Sequence, residues 1–194
     1  MKSFFTVIFS AWAFIFQGVV LQAQSIQATN YDGGSIKSQL WPGYQMNGKS
    51  SLRRSWFVLN DTSCPVQLLE TGVNTHYRQD AHEFRNIGTI QTTQSIQAVE
   101  IRYIMFDVFG GFMTTLTSTE VADIPKTDSH QIEVVFRRVD ESEASELLSV
   151  AAFVAQVRAE DGKIWRYDHK AVTEALARIH LKVADVDLNP SKEK

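Results

Sequence analysis

Residues 96–108 read IQAVEIRYIMFDV, which is the clearest strand pattern in the chain. In its first half, three apolar residues alternate with two charged ones, in the order Val99, Glu100, Ile101, Arg102 and Tyr103. Side chains of a β-strand point alternately to opposite faces, so this period of two places one face in a core and the other in water. In the second half both faces are apolar, as expected where a strand passes under other structure.

Shorter strand-like stretches surround this one and are separated by clusters of turn-forming residues. We predict a strand over Leu148–Arg158, because the Asp161-Gly162 pair that follows is a strong hairpin signal and a hairpin needs a strand before it. In total the pattern indicates roughly seven to nine short strands. Because no helices alternate with them, a fold built from βαβ units is disfavoured. The pattern predicts an antiparallel β-sandwich.

The two ends of the chain follow different patterns. Residues 169–183 carry apolar residues at helical spacing behind Asp168, a possible capping residue, which predicts a short C-terminal α-helix. Residues 24–50 are rich in Gln, Ser, Asn and Gly, which predicts a flexible segment. The sandwich domain is therefore expected over residues 51–168, and a polar tail over residues 184–194.

The overall composition limits the classes of function. The chain has 194 residues, of which 44% are hydrophobic and 21% charged, as in an ordinary globular protein. Its net charge of -3 provides no bulk attraction to nucleic acid or anionic lipid. The single cysteine, Cys64, excludes an intramolecular disulfide and a Cys-rich zinc site, and it leaves pairing with the thiol of a partner open.

The first 23 residues have the pattern of a secretory signal. A nearly unbroken apolar run follows Lys2, and a Leu-x-Ala step ends at Ala23. We predict cleavage after Ala23 and a secreted or periplasmic protein. An uncleaved membrane tether is the alternative, since residues 4–21 are just long enough to cross a bilayer. Gln17-Gly18 interrupts that run, and no basic cluster follows it.

Two motifs resemble a known family. Tyr103-Ile104-Met105-Phe106-Asp107 is an aromatic-x-aliphatic-aromatic-Asp step followed closely by Gly110, and Phe57–Asn60 precedes Cys64-Pro65-Val66. Over residues 53–167 these motifs resemble the bacterial extracellular FxLYD-type immunoglobulin-like domains, with Tyr, Met and Phe in place of the family's Phe, Leu and Tyr. The resemblance implies a mainly β, immunoglobulin-like sandwich in a secreted or surface accessory protein without catalytic residues.

The sequence contains no complete catalytic or metal motif, so we predict no enzyme and no catalytic, cofactor-binding or metal-binding residue. His76, Asp80 and His82 have a spacing that matches no established metal motif, and a solvated loop fits them better. No Gly-x-Ser-x-Gly is present, and Cys64 has no basic neighbour to activate its thiol. The acidic stretch 140–146 is expected to be exposed. A hydrolase with an unrecognised site is the enzymatic alternative.

The most unusual stretch is FDVFGGFM at residues 106–113, where three Phe and one Met surround a Gly-Gly pair. In one interpretation the rings fill the end of the sandwich and the glycines allow close backbone approach. In the other, an exposed aromatic loop binds a protein partner, a glycan or a membrane surface. The candidate binding residues are Phe109, Phe112, Met113, Trp41 and Trp165. The predicted function is an exported, non-catalytic interaction or structural accessory protein, with a carbohydrate- or lipid-binding module as the alternative.

Overall fold

A computed structural model of the chain describes residues 26–35, 52–78 and 81–190. Nine strands lie in this part of the chain: β1 (Ile26–Ser35), β2 (Arg53–Asp61), β3 (Val66–Arg78), β4 (Ala81–Thr92), β5 (Ile96–Asp107), β6 (Phe112–Ile124), β7 (Thr127–Val139), β8 (Leu147–Ala159) and β9 (Ile164–Arg166). The other described elements are α1 (Glu141–Glu146), α2 (His169–Arg178) and a 3-10 helix (Asp185–Leu188).

The strands form two sheets. The large sheet has the order β1-β2-β8-β5-β6, with β9 attached to β8, and the small sheet has the order β3-β4-β7. The chain is mainly β with two sheets, which confirms the sandwich prediction, while the immunoglobulin-like arrangement stays a prediction. One pair departs from the antiparallel pattern, because β2 and β8 run parallel from Ser55↔Ser149 to Leu59↔Phe153. Parallel strands need a long connection, and here the chain between them builds the whole small sheet.

The core between the sheets accounts for the alternation in β5. Four residues of β5 are 1% exposed or less on this side: Val99, Ile101, Tyr103 and Met105. They belong to one apolar cluster with Leu68, Phe84 and Ile90 of the small sheet. The charged residues between them point to the other face of the large sheet.

The other face of the large sheet is covered by the C-terminal part of the chain. Ile104 and Phe106 form a second core with Val172 and Leu176 of α2 and with Leu188. All five side chains are 1% exposed or less. The second half of β5 is therefore buried on both faces, as its sequence predicts. Since burial of a large apolar side chain contributes about 1.5–3 kcal/mol, this helical layer is a substantial part of the stability.

α2 is shorter than the helical spacing predicts. Asp168 caps its first turn as expected. The prediction of a helix over 169–183 is wrong at its C-terminal end, because His180 has a φ of 64° and reverses the chain. The N–H of Leu181 donates to the carbonyl oxygen of Leu176 at 3.0 Å, which gives a Schellman termination.

The prediction of a flexible segment over residues 24–50 is wrong for β1. This strand pairs antiparallel with β2, and the Tyr31 hydroxyl donates to the carbonyl oxygen of Leu69. An edge strand is held largely by backbone hydrogen bonds, so it needs few apolar residues, and its composition does not reveal it. Residues 36–51 lie outside the described part.

The acidic stretch 140–146 contains a short helix, α1. Asp140 caps α1 by accepting a hydrogen bond from the N–H of Glu143 at 2.8 Å. At the C-terminal end of α1, Arg54 donates to the carbonyl oxygens of Ala144 and Leu147 at 3.1 and 2.9 Å, which satisfies backbone groups that have no partner within the helix. The proposed signal, residues 1–23, lies outside the described residues. Within those residues, none of the helices has the length and apolar character needed to cross a membrane.

Candidate functional site

The turn between β5 and β6 is fixed by hydrogen bonds to Asp107. Its Oδ1 accepts from the backbone N–H groups of Phe109 and Gly111, both at 2.8 Å. Its own N–H donates to the carbonyl oxygen of Gly111 at 2.9 Å, and its carbonyl oxygen accepts from the N–H of Gly110 at 3.0 Å. Four hydrogen bonds therefore join one aspartate to the turn, as in an Asx turn, and they define the direction in which residue 109 points.

Both glycines are needed for this geometry. Gly110 has a φ of 79°, a left-handed conformation that side chains with a Cβ rarely adopt. At Gly111, a Cβ would lie 2.7 Å from Oδ2 of Asp107, so a side chain there would displace the carboxylate. The Gly-Gly pair thus serves the turn itself.

The three rings of the stretch have different environments. Phe106 is buried, and Phe112 is half-buried against the second core. Met113 packs against the core between the sheets. Phe109 is 91% exposed and stands at the tip of the turn. Phe106 and Phe112 therefore pack on the domain as the first interpretation predicts, and Phe109 is the one exposed ring of the three, while binding by it stays a prediction.

The two tryptophan candidates do not join this tip. Trp165 is half-buried against the inter-sheet core, and its Nε1 donates to Oγ of Ser63 at 3.2 Å. It pairs with Val157 near the end of β8, whereas the residues that pair with Phe106 lie at the start of β8. Trp165 and Phe112 are therefore at opposite ends of the large sheet, and Trp41 lies outside the described residues.

A second cluster of polar groups surrounds Arg102, which the alternation in β5 had placed in water. Its Nη1 lies 3.0 Å from each of three oxygens, which belong to the hydroxyl of Tyr167, the carbonyl of Leu188 and the side chain of Asn189. Its Nε donates to Glu100 at 2.8 Å, and the two side chains are only 13% and 12% exposed. Arg102 therefore holds the C-terminal segment on the large sheet. Local periodicity could not reveal this, because the groups that cover it come from the end of the chain.

The histidines provide no metal site in the part of the chain that the structure describes, where no group of three or more His, Cys, Asp or Glu side chains is placed to hold an ion. Asp80 and the side chains of His76 and His82 are outside that part. His130 instead bridges the two sheets, with its Nε2 3.1 Å from Oε1 of Glu120. His169 lies against the ring of Tyr167.

The thiol of Cys64 is unsuited to nucleophilic chemistry. It is 5% exposed, and burial raises its pKa to about 12. Its sulfur accepts a hydrogen bond from the N–H of Val66 at 3.4 Å. At neutral pH the thiol is protonated and out of reach of a partner's cysteine.

An open cleft of about 340 Å³ lies at the other end of the sandwich from Phe109. Its lining includes Ser95, Asp123, Pro125 and Glu160. None of the described residues that line it is aromatic, so it offers no surface on which a sugar ring would stack.

No family model, no curated protein and no solved structure matches this chain. Of the features described above, the side chains around Arg102 and the buried thiol of Cys64 contribute to the stability of the fold. The turn that carries Phe109 is held by hydrogen bonds to Asp107. The ring of Phe109 is 91% exposed and adds little to the packing of the domain.

Proposed function

We propose that this chain is an exported, non-catalytic β-sandwich domain that binds a protein partner through the β5–β6 turn, with Phe109 as the anchor. The observation that carries the proposal is a 91% exposed phenylalanine on a turn tied by four hydrogen bonds to Asp107. Single exposed apolar residues are common on protein surfaces. Phe109 differs from these because the backbone that carries it is fixed, so less conformational entropy is lost when a partner covers the ring.

The energetics suit an anchor residue. Burying a phenylalanine side chain that is exposed in the free protein contributes about 1.5–3 kcal/mol. Aromatic anchors of this kind fill pockets at the centres of protein interfaces. Phe112 and Met113 pack behind the turn on the two cores, so the base of the hairpin is firmly attached to the domain.

The same features favour a protein over the alternative ligands. A glycan site needs polar groups beside the ring, and Asp107 already uses its Oδ1 within the turn. A membrane surface would be bound by several apolar residues together with basic ones. Residues 107–111 read DVFGG and contain an acid and no base, and the net charge of the chain is -3. A pocket on a protein suits one isolated ring best.

Export is supported by the sequence of residues 1–23, with its basic start, apolar run and Leu-x-Ala step. The expected location is the periplasm or the extracellular space, with a membrane tether as the alternative if the segment is retained. Expression in an exporting host followed by intact-mass measurement tests this. A mature chain that begins at Gln24 is expected, and a cytosolic chain that keeps Met1 would contradict export.

Site-specific photocrosslinking tests the binding proposal in the native host. A benzophenone analogue of phenylalanine replaces Phe109, and a matched control carries it at Ile164, which is 47% exposed on β9. We expect a protein adduct from position 109 that is absent from position 164 and reduced by Gly111→Ala. Adducts to lipid or glycan would support the alternative ligands. Equal adducts from both positions, or none from position 109, would contradict the proposal.

A further inference from the structure

β6 leaves one side of the large sheet open. It is the last strand in the order of that sheet and pairs only with β5 among the strands of the described ranges. From Met105↔Thr114 to Ala98↔Val121 its register with β5 is unbroken, so this stretch is regular and extended. Such a strand presents a row of backbone N–H and C=O groups that another strand can bind.

Between the register shifts at its two ends, the edge of β6 carries no lysine, proline or bulge. Natural edge strands are protected by lysines, prolines, bulges or short length. β6 has 13 residues and reads FMTTLTSTEVADI, with no Lys, Arg or Pro. Its one acid within the regular stretch, Glu120, is turned toward His130 of the small sheet. β1, at the opposite edge, has a register shift after Asp32 and an ion pair between Asp32 and Arg53.

We propose that β6 pairs antiparallel with β6 of a second copy of this chain, so that two large sheets join into one across a two-fold axis. In an isologous contact the same surface meets itself, so a charge close to the two-fold axis lies near its own copy and is unfavourable. In the regular stretch of β6, the residues on the face away from the small sheet are Thr117, Thr119 and Val121, together with Thr115, which is buried and donates to the carbonyl oxygen of Asp187. Cross-strand threonine pairs are favourable. Such an axis near Thr117 and Ser118 would therefore bring uncharged, strand-favouring residues together.

With residues 1–23 removed, as the proposed export requires, the loop of residues 36–51 is too short to cover this edge. Residues 36–51 connect β1 to β2, and the far edge lies four strand spacings away, about 19 Å. A loop of that length reaches about 27 Å out before it must return, which leaves about two residues to pair with β6. A second copy supplies a strand of matching length.

Sedimentation velocity on the chain purified from an exporting host tests the proposal. We expect a dimer for the wild type and a dissociation constant at least tenfold higher for Thr119→Lys. The matched control is Thr29→Lys, which places the same charge on the exposed face of β1 and is expected to leave the dimer intact. Circular dichroism spectra and melting temperatures show whether each variant is folded.

A second measurement does not depend on a disruptive variant. A nitroxide on Thr119→Cys reports contact between copies, because Cys64 is buried and escapes labelling. Dipolar coupling at short distance is expected for this label, and no coupling for a label on Thr29→Cys. A monomeric wild type would overturn the proposal. So would coupling at position 29 alone, which would place the contact on β1.

Discussion

The carboxylate of Asp107 and the backbone N–H of Gly111 lie 2.8 Å apart, and a Cβ on Gly111 would be 2.7 Å from the other carboxylate oxygen. The turn that presents Phe109 therefore depends on an acid and a glycine that fit one another. This relation gives the first of five predictions.

Asp107→Ala should lower the free energy of unfolding by about 1–3 kcal/mol, because it removes two hydrogen bonds from backbone N–H groups to a charged acceptor. Gly111→Ala should have an effect of the same direction, since the carboxylate must move away. Urea denaturation measures both. Asp123→Ala, at an exposed residue of β6, is the control and should change stability by less than about 0.5 kcal/mol. Equal losses for the control would show that the turn has no special role.

The two neighbouring phenylalanines should behave differently. Phe112→Ser should reduce stability by about 2–3 kcal/mol, because a half-buried ring that packs on the second core is lost. Phe109→Ser should leave stability within about 0.5 kcal/mol of wild type and weaken partner binding. Thermal and urea unfolding distinguish the two. A large loss of stability for Phe109→Ser would mean that its ring packs inside the protein in solution.

Arg102→Met should destabilise the protein by about 3–5 kcal/mol, because Glu100 would remain buried without its cation. The loss should appear first in the C-terminal segment, since Arg102 contacts Tyr167, Leu188 and Asn189. Hydrogen exchange with peptide resolution measures this. Arg158→Met, at an exposed arginine of β8, provides the comparison. Unchanged exchange over residues 167–189 would count against the role given to Arg102.

Stability should fall in alkaline solution. Burial raises the pKa of Cys64 from 9.0 to about 12, so the folded state keeps a proton that the unfolded chain loses. The contribution is fully present below pH 9 and is lost as the pH rises toward about 12. Burial also raises the pKa of Tyr103, which acts in the same direction. Unfolding free energy measured against pH should therefore decline less steeply for Cys64→Ala than for wild type.

Replacement of His180 should stabilise the protein. Its φ of 64° is a conformation that glycine adopts without strain, and the position follows the end of α2. His180→Gly is expected to raise the free energy of unfolding by about 0.5–1 kcal/mol. His180→Ala provides the control, because it removes the imidazole and keeps the strain. An increase in stability for His180→Ala as large as that for His180→Gly would assign the effect to the ring.

The alternation of apolar and polar residues, together with turn and capping residues, predicted the elements that the local sequence determines. The strands at residues 96–108 and 148–158 correspond to β5 and β8, and Asp168 caps α2. The second half of β5 was apolar on both faces because two cores cover it, so the sequence already indicated a layer on each side.

Long-range contacts account for what the sequence did not show. β1 was missed because its stability comes from backbone pairing with β2, which the composition of residues 24–50 does not reveal. The burial of Arg102 depends on residues 86 and 87 positions away. For the candidate site, the composition of residues 106–113 marked the right stretch. It could not tell which ring is exposed, since that follows from the four hydrogen bonds of Asp107.

The parallel pairing of β2 with β8 has a consequence for biosynthesis. Arg54 leaves the ribosome long before Leu147, the residue whose carbonyl it binds 93 positions later. At about 5–20 residues per second, β2 waits about 5–20 s for its neighbour. During that time β2 has only one of its two neighbours in the large sheet, β1. A nascent chain of this kind should depend on holdase chaperones until its last third has been made.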